Sequence, residues 1–125
     1  MKRYEAIDYS GVPPVDCSCG TTRRAFADLA DAPASAHLLE LADEPVCHFH
    51  KRTTEIYIIL EGHGELELDG DLVPVKPLSA VMIKPGCRHR AVGKMKLLNI
   101  SVPRYDPDDF FHDEGAGRDG EAPVH

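Results

Sequence analysis

The stretch "CHFHKRTTEIYIILEGHG", Cys47 to Gly64, decides how the chain folds. It sets His48 and His50 one residue apart and Glu55 five residues further on, in a run rich in β-branched and aromatic residues. Side chains alternate across a strand, so His48 and His50 share one face while Cys47 and Phe49 take the other. In "TEIYIIL", Glu55, Tyr57 and Ile59 share a face, opposite Ile56, Ile58 and Leu60. The few residues after His50 suffice for a tight connection, which returns Glu55 beside the imidazoles on an adjacent antiparallel strand. Two imidazoles and a carboxylate so placed suit Fe(II), Mn(II), Ni(II), Co(II) or Zn(II), with positions left open for water or substrate. His89, just past Pro85-Gly86, is a fourth candidate. Histidines at this spacing also serve packing, surface exposure or a pH response. An ionised Glu facing a strand interior, however, needs a partner, which a metal or a charged donor supplies.

Outward from this stretch the chain reads as strands. "GELELDG", "LVPV", "SAVMIK", "HRAV" and "MKLLNIS" are separated by turn signals at Glu61-Gly62, Asp69-Gly70, Lys76-Pro77 and Pro85-Gly86. Leu66 and Leu68 alternate with Glu65, Glu67 and Asp69, which fits a half-buried strand entering an Asp-Gly hairpin. Short strands without intervening helices predict a sandwich or barrel. Upstream, "SGVPPVDCSCGTT" holds no continuous element. Thr22 is expected to cap a short helix through "RRAFADLA", ending before Pro33. "SAHLLEL" reads as a strand. Downstream, Tyr105, Phe110 and Phe111 are docking residues, followed by a Gly-rich acidic tail expected to be mobile beyond about Asp113.

At 125 residues, with 42% hydrophobic residues, the chain fits one globular domain. A formal charge of −7, no Trp and 6% aromatic residues argue against a nucleic-acid surface or a basic membrane surface. "MKRYEAIDYS" lacks the apolar run of a secretory signal, no stretch approaches a membrane span, and a cytoplasmic location is expected. Of the four cysteines, Cys17, Cys19, Cys47 and Cys87, none is expected in a disulfide.

His48, His50, Glu55 and Gly62 together resemble the first motif of the cupin family, and "KPGCRH", Lys84 to His89, resembles the second. The resemblance covers most of Ser35 to Pro103. It departs from the usual pattern at Ala42, Leu78, Lys84 and Gly93, which are turn and packing positions. It implies an all-β double-stranded β-helix, or jelly roll, of two antiparallel sheets, built as a small single-domain cupin. It also implies one divalent first-row metal per chain, held by His48, His50, Glu55 and His89. The organisation is then an extended segment with a short helix over 1–34, the barrel over 35–103, and a docking segment with an acidic tail over 104–125.

The family carries oxygenases, isomerases, lyases and non-catalytic sensors, so the fold does not name a reaction. The expected function is a metal-dependent enzyme, dioxygenase-like or a Lewis-acid isomerase or lyase, on a small and anionic metabolite. The alternative is a non-catalytic small-molecule or sugar-phosphate binding module. Tyr57 is the catalytic candidate by face parity, and Lys51 and Arg52 before Glu55 are candidates to meet an anionic substrate. Arg23 and Arg24 could do so if the leading segment folds over the barrel mouth. Arg88 and Arg90 flank His89 and are expected on the outer surface. No second histidine or carboxylate is placed in the pocket as a base. A small-molecule ligand and a homodimer are expected as partners, without nucleic acid or membrane.

Overall fold

A computed structural model describes residues 2–42 and 46–113. Its strands, in chain order, are β1 (Val15–Cys17), β2 (Gly20–Ala25), β3 (Ser35–Leu41), β4 (His48–Phe49), β5 (Thr54–Gly62), β6 (Gly64–Leu68), β7 (Asp71–Val75), β8 (Ala80–Ile83), β9 (His89–Val92), β10 (Met95–Val102) and β11 (Phe111–His112). They form two antiparallel sheets, ordered β1-β2-β3-β10-β5-β8 and β11-β4-β9-β6-β7. This is an all-β, double-stranded β-helix-like fold. Leu39, Ile59, Leu66, Ile83, Met95 and Leu97 pack between the sheets as the core. Among the described residues no helix is long and apolar enough to cross a membrane.

Turn chemistry fixes the register. Asp69 and Gly70 both take positive φ, 49° and 90°, and join β6 to β7 so that Leu68 pairs with Asp71. That is the two-residue hairpin whose twist matches its strands. At the end of β5, Gly62 has φ 81°, and a Cβ there would meet the Lys94 carbonyl oxygen at 2.3 Å. Only glycine lets this corner close onto the start of β10.

The expected N-terminal helix is absent. "GTTRRA" is instead β2, hydrogen-bonded to β1 on one side and β3 on the other, and the only helical element described is a 3-10 turn at Tyr9–Gly11. Ala25, Phe26 and Leu29 carry a helical spacing too short to outweigh ladders on both edges. Phe26, at φ 68°, then turns the chain out of the strand. The expectation of reduced thiols also fails at one pair: Cys17 and Cys19 are joined in a disulfide at the β1–β2 turn. Pairing of Cys17 with Gly20 folds the hairpin so tightly that the two Cα atoms lie 5.2 Å apart, within disulfide reach. Cys47 and Cys87 remain free thiols, pushed up to about 11, first by burial. The mobile tail expected beyond Asp113 lies outside the described residues.

Strand register builds the barrel's inner wall in ranks. Thr22, Leu39, Leu97 and Ile59 lie side by side across β2, β3, β10 and β5. The next rank is polar: Arg24, His37, Asn99 and Tyr57. The third is Ser35, Ser101, Glu55 and Ile83. Burial follows this pattern, since Ser35, His37, Leu39, Glu55, Tyr57, Ile59, Leu97, Asn99 and Ser101 are all buried.

Candidate metal centre

Three elements bring four donors to one point. β4 and the residue after it carry His48 and His50, β5 carries Glu55, and the antiparallel pairing of β4 with β9 sets His89 opposite His48. One ligand atom from each of the four lies within 4.8 Å of the other three. The loop before β9 is tied to the first motif by the Gly86 N–H, which donates to the His50 carbonyl at 2.7 Å.

Each imidazole is oriented by its Nδ1. His48 Nδ1 donates to the Val46 carbonyl at 3.0 Å, His50 Nδ1 to the Asp109 carbonyl at 2.6 Å, and His89 Nδ1 to the Cys87 carbonyl at 2.9 Å. A carbonyl can only accept, so the Nδ1 atoms hold the protons and the Nε2 lone pairs face inward. This is how metal-binding histidines are held elsewhere.

At the centre, Glu55 Oε1 lies 3.0 Å from His50 Nε2 and 3.1 Å from His89 Nε2. These distances would suit hydrogen bonds, but the directions do not. All three atoms are buried without a hydrogen-bond partner. Buried polar atoms are rarely left so, and a cation at their common point satisfies all three. The residues therefore fit a first-row metal. Glu55 Oε2 accepts from Asn99 Nδ2 at 2.6 Å, which fixes the carboxylate plane.

Burial alone would raise the Glu55 carboxyl, but the His50 and His89 imidazoles hold it well below the usual carboxylate range. His48 is pulled down to about 3, first by burial and then by His89. A neutral imidazole there could donate its lone pair to a metal. His50 moves up: burial opposes this, and Glu55 outweighs it.

His48, His50 and Glu55 line one side of a cavity of about 350 Å³, bounded also by Cys17, Cys19, Thr22, Arg24, His37 and Phe110 among others. Tyr57 lies in this wall, buried, its ring edge-on to His89 at 6.1 Å, and burial drives its phenol well above the ordinary value. Lys51 and Arg52 are exposed and do not line the cavity. Lys51 sits over the Phe111 ring and Arg52 pairs with Asp106. Arg88 stacks on Phe49 and Arg90 pairs with Glu67, both off the cavity.

Sequence reasoning missed several cavity residues. His37 is a second-rank histidine inside the pocket, pulled down to about 4 by burial and by Arg24, and hydrogen-bonded through Nε2 to Ser35 Oγ at 2.8 Å. Alternation in "SAHLLEL" places it on the same face as Leu39, which was the available signal. Arg24, named as a candidate if the leading segment folded over the barrel mouth, does line the cavity, but from strand β2 rather than from a helix. Asp109, outside the cavity lining, gave no signal at all.

Residues 38–100 match the family model described as Cupin domain. An uncharacterized protein of Methanocaldococcus jannaschii is 32% identical over 76 residues, 58% of this chain. The match spans 61% of the length of that relative. A crystal structure of a protein from Planctomyces limnophilus is 35% identical, with a TM-score of 0.81 over 86% of this chain and 95% of that one. Pac13, a nucleoside dehydratase from Streptomyces, gives a TM-score of 0.76 over 89% of this chain and 91% of its own. At 16% identity that likeness is one of fold.

Proposed function

The chain belongs to the cupin superfamily, as a small single β-barrel domain, and on that premise we propose that it is a metal-dependent enzyme transforming a small metabolite inside its barrel. One observation carries the reading: His50 Nε2, His89 Nε2 and Glu55 Oε1 converge, buried and without hydrogen bonds, where His50 and Glu55 line a cavity. A divalent first-row metal bound there supplies Lewis acidity and, if it is Fe(II), access to dioxygen chemistry.

The chain's own residues define what else is available. His48, His50, Glu55 and His89 would hold the metal. Tyr57 keeps its proton and can donate it as a hydrogen bond to an oxygen of the bound molecule. His37 is pulled down to about 4, first by burial and then by Arg24, which makes it a weak base. Phe110 stacks on His48 at 4.6 Å and covers that ring on one face. Apart from the four metal donors, none of these side chains is a base poised near neutral pH, where general-base catalysis works best. That favours a dioxygenase-like reaction over an isomerase or lyase reaction. A homodimer, usual among small cupins, belongs to the same reading, and light scattering on the purified chain tests it.

The test is reconstitution with each of Fe(II), Mn(II), Ni(II), Co(II) and Zn(II), followed by elemental analysis and oxygen uptake against small acids, thiols and diketones. The expected result is near one metal per chain and substrate-dependent oxygen consumption by the Fe(II) form. Absence of metal after reconstitution removes the centre. Ligand binding without turnover by any metal form places the chain among the non-catalytic binding cupins instead.

A further inference from the structure

Arg24 stands apart from the other arginines that touch the barrel. Arg23 donates to the Tyr9 and Val12 carbonyls, Arg104 to Ala27 and Arg88 to Gly86, while Arg52 and Arg90 pair with Asp106 and Glu67. Among the described residues Arg24 makes no hydrogen bond and no ion pair, and its Nε is buried without an acceptor. Its guanidinium carbon lies 4.1 Å from the centre of the Tyr105 ring. Stacking holds the guanidinium against the wall while its in-plane N–H donors stay free. Tyr105 is itself fixed, its N–H donating to Ser35 Oγ at 2.8 Å. Of the other carboxylates lining the cavity, Asp106 is engaged by Arg52 and Asp16 is exposed.

Two further buried groups in the same wall lack partners: the Thr22 hydroxyl, two residues from Arg24 on the same face, and Asn99 Oδ1. Asn99 spends its Nδ2 on Glu55 and keeps Oδ1 as an unmet acceptor between Arg24 and the metal ligands. The wall thus offers a cation, a hydroxyl and an acceptor beside a centre that binds oxygen donors.

From this arrangement the geometry points to a small hydroxycarboxylate as the ligand class: its carboxylate on Arg24 and Thr22, a hydroxyl donating to Asn99 Oδ1, and an oxygen at its other end on the metal. One guanidinium and one hydroxyl match the charge and shape of a carboxylate better than a dianionic phosphate. β2 and β5 are three strand spacings apart, roughly 14 Å, and Arg24 and Glu55 both line the cavity between them. A cavity of about 350 Å³ lies at the small end of ligand sites. The inference rests on the metal reading above and supplies its substrate class.

The test uses the Co(II)-loaded full chain, titrated with 2-hydroxyglutarate and with 2-hydroxypentanoate, which has the same length but no distal charge. Visible absorption of Co(II) reports the metal-bound end, and elemental analysis reports metal content. The native chain should bind 2-hydroxyglutarate at least about tenfold more tightly, the usual scale of a charge-assisted hydrogen-bonded contact. In Arg24→Gln the two ligands should come within about twofold, with metal content unchanged. Equal affinities in the native chain, or a preference that survives Arg24→Gln, overturn the proposal. Should Arg24→Gln fail to fold, Thr22→Val decides: the preference must fall severalfold. If no metal binds at all, the metal reading fails separately. Glutarate alone, titrated calorimetrically, then upholds the anion subsite if its binding needs Arg24 and overturns it otherwise.

Discussion

The backbone carbonyl of Asp109 accepts a hydrogen bond from His50 Nδ1 at 2.6 Å, across 59 residues of sequence. The Asp109 carboxylate holds the same loop from the other side, accepting from the N–H groups of Lys51, Arg52 and Thr53 and from the Thr53 hydroxyl. Burial would raise this carboxyl, yet those four donors keep it below the usual range. The tail segment therefore positions His50, one of the four candidate donors.

Asp109→Ala leaves the Thr53 amide and hydroxyl buried without an acceptor and frees the segment whose carbonyl aims His50. Stability should fall by about 2–4 kcal/mol. Metal affinity should drop roughly 10- to 100-fold, the usual cost of losing a group that orients a ligand. Urea unfolding and a competitive chelator titration measure the two effects. An unchanged metal affinity would mean that His50 is aimed by its own strand alone.

Metal should stabilise the fold through the converging donors and nowhere else. With metal at about 1,000 times its Kd, binding adds roughly 4 kcal/mol to unfolding, so a strong chelator should lower Tm by several degrees. In His50→Ala the chelator should have almost no effect, because metal content is already low. In Cys19→Ala the drop should persist. A chelator shift retained in His50→Ala would locate the stabilising ion elsewhere.

Most of the fold and the four donors were legible because they rest on local rules. Strand parity sets Glu55 with Tyr57, Asp-Gly makes a hairpin, and the two motifs carry all four ligands. What escaped depends on distant partners. Arg24 was named as a candidate, but the element carrying it was misread: its helical spacing was locally plausible, and only pairing with β1 and β3 made it a strand whose side chain lines the pocket. Asp109 is one of several acidic residues in its segment, and nothing nearby marks it as the one whose carboxylate meets three backbone amides of a distant loop. Lys51 and Arg52 precede Glu55 directly, but the loop carrying them faces outward, where Asp106 and Phe111 take up their charge.

His37 predicts an acid-sensitive fold. Its imidazole is 4% exposed, and burial, then Arg24, pull it from 6.5 down to about 4. Below pH 6.5 the unfolded chain binds a proton that the native site refuses, so this contribution is complete above 6.5 and is lost as pH falls toward 4. The loss reaches about 3 kcal/mol. His48, at about 3, acts in the same direction in the metal-free chain, whereas His50, whose value is raised, acts oppositely. His37→Gln isolates the first effect: between pH 7 and pH 4.5 the metal-free variant should lose about 2–3 kcal/mol less than the native chain in urea unfolding. Parallel losses in the two proteins would remove His37 from the account.

Leu78 is a position where the chain gives up stability. It has φ 76° in the turn between β7 and β8, where the related motif carries glycine, and its side chain is 86% exposed. A Cβ in the left-handed region costs roughly 1–2 kcal/mol, and so exposed a leucine recovers little of that by burial. The turn is otherwise well made: the Leu78 N–H donates to the Ile59 carbonyl at 2.9 Å and the Ser79 N–H to the Lys76 carbonyl at 2.9 Å. Glycine relieves the strain but adds freedom to the unfolded chain worth about 0.5–1 kcal/mol. The net expectation for Leu78→Gly is a gain of about 0.5–1 kcal/mol, read as a higher urea midpoint at unchanged slope. Leu78→Ala separates the causes, since it keeps the Cβ and should give no such gain. Equal stabilisation by alanine would assign the effect to loss of an exposed apolar side chain rather than to backbone strain.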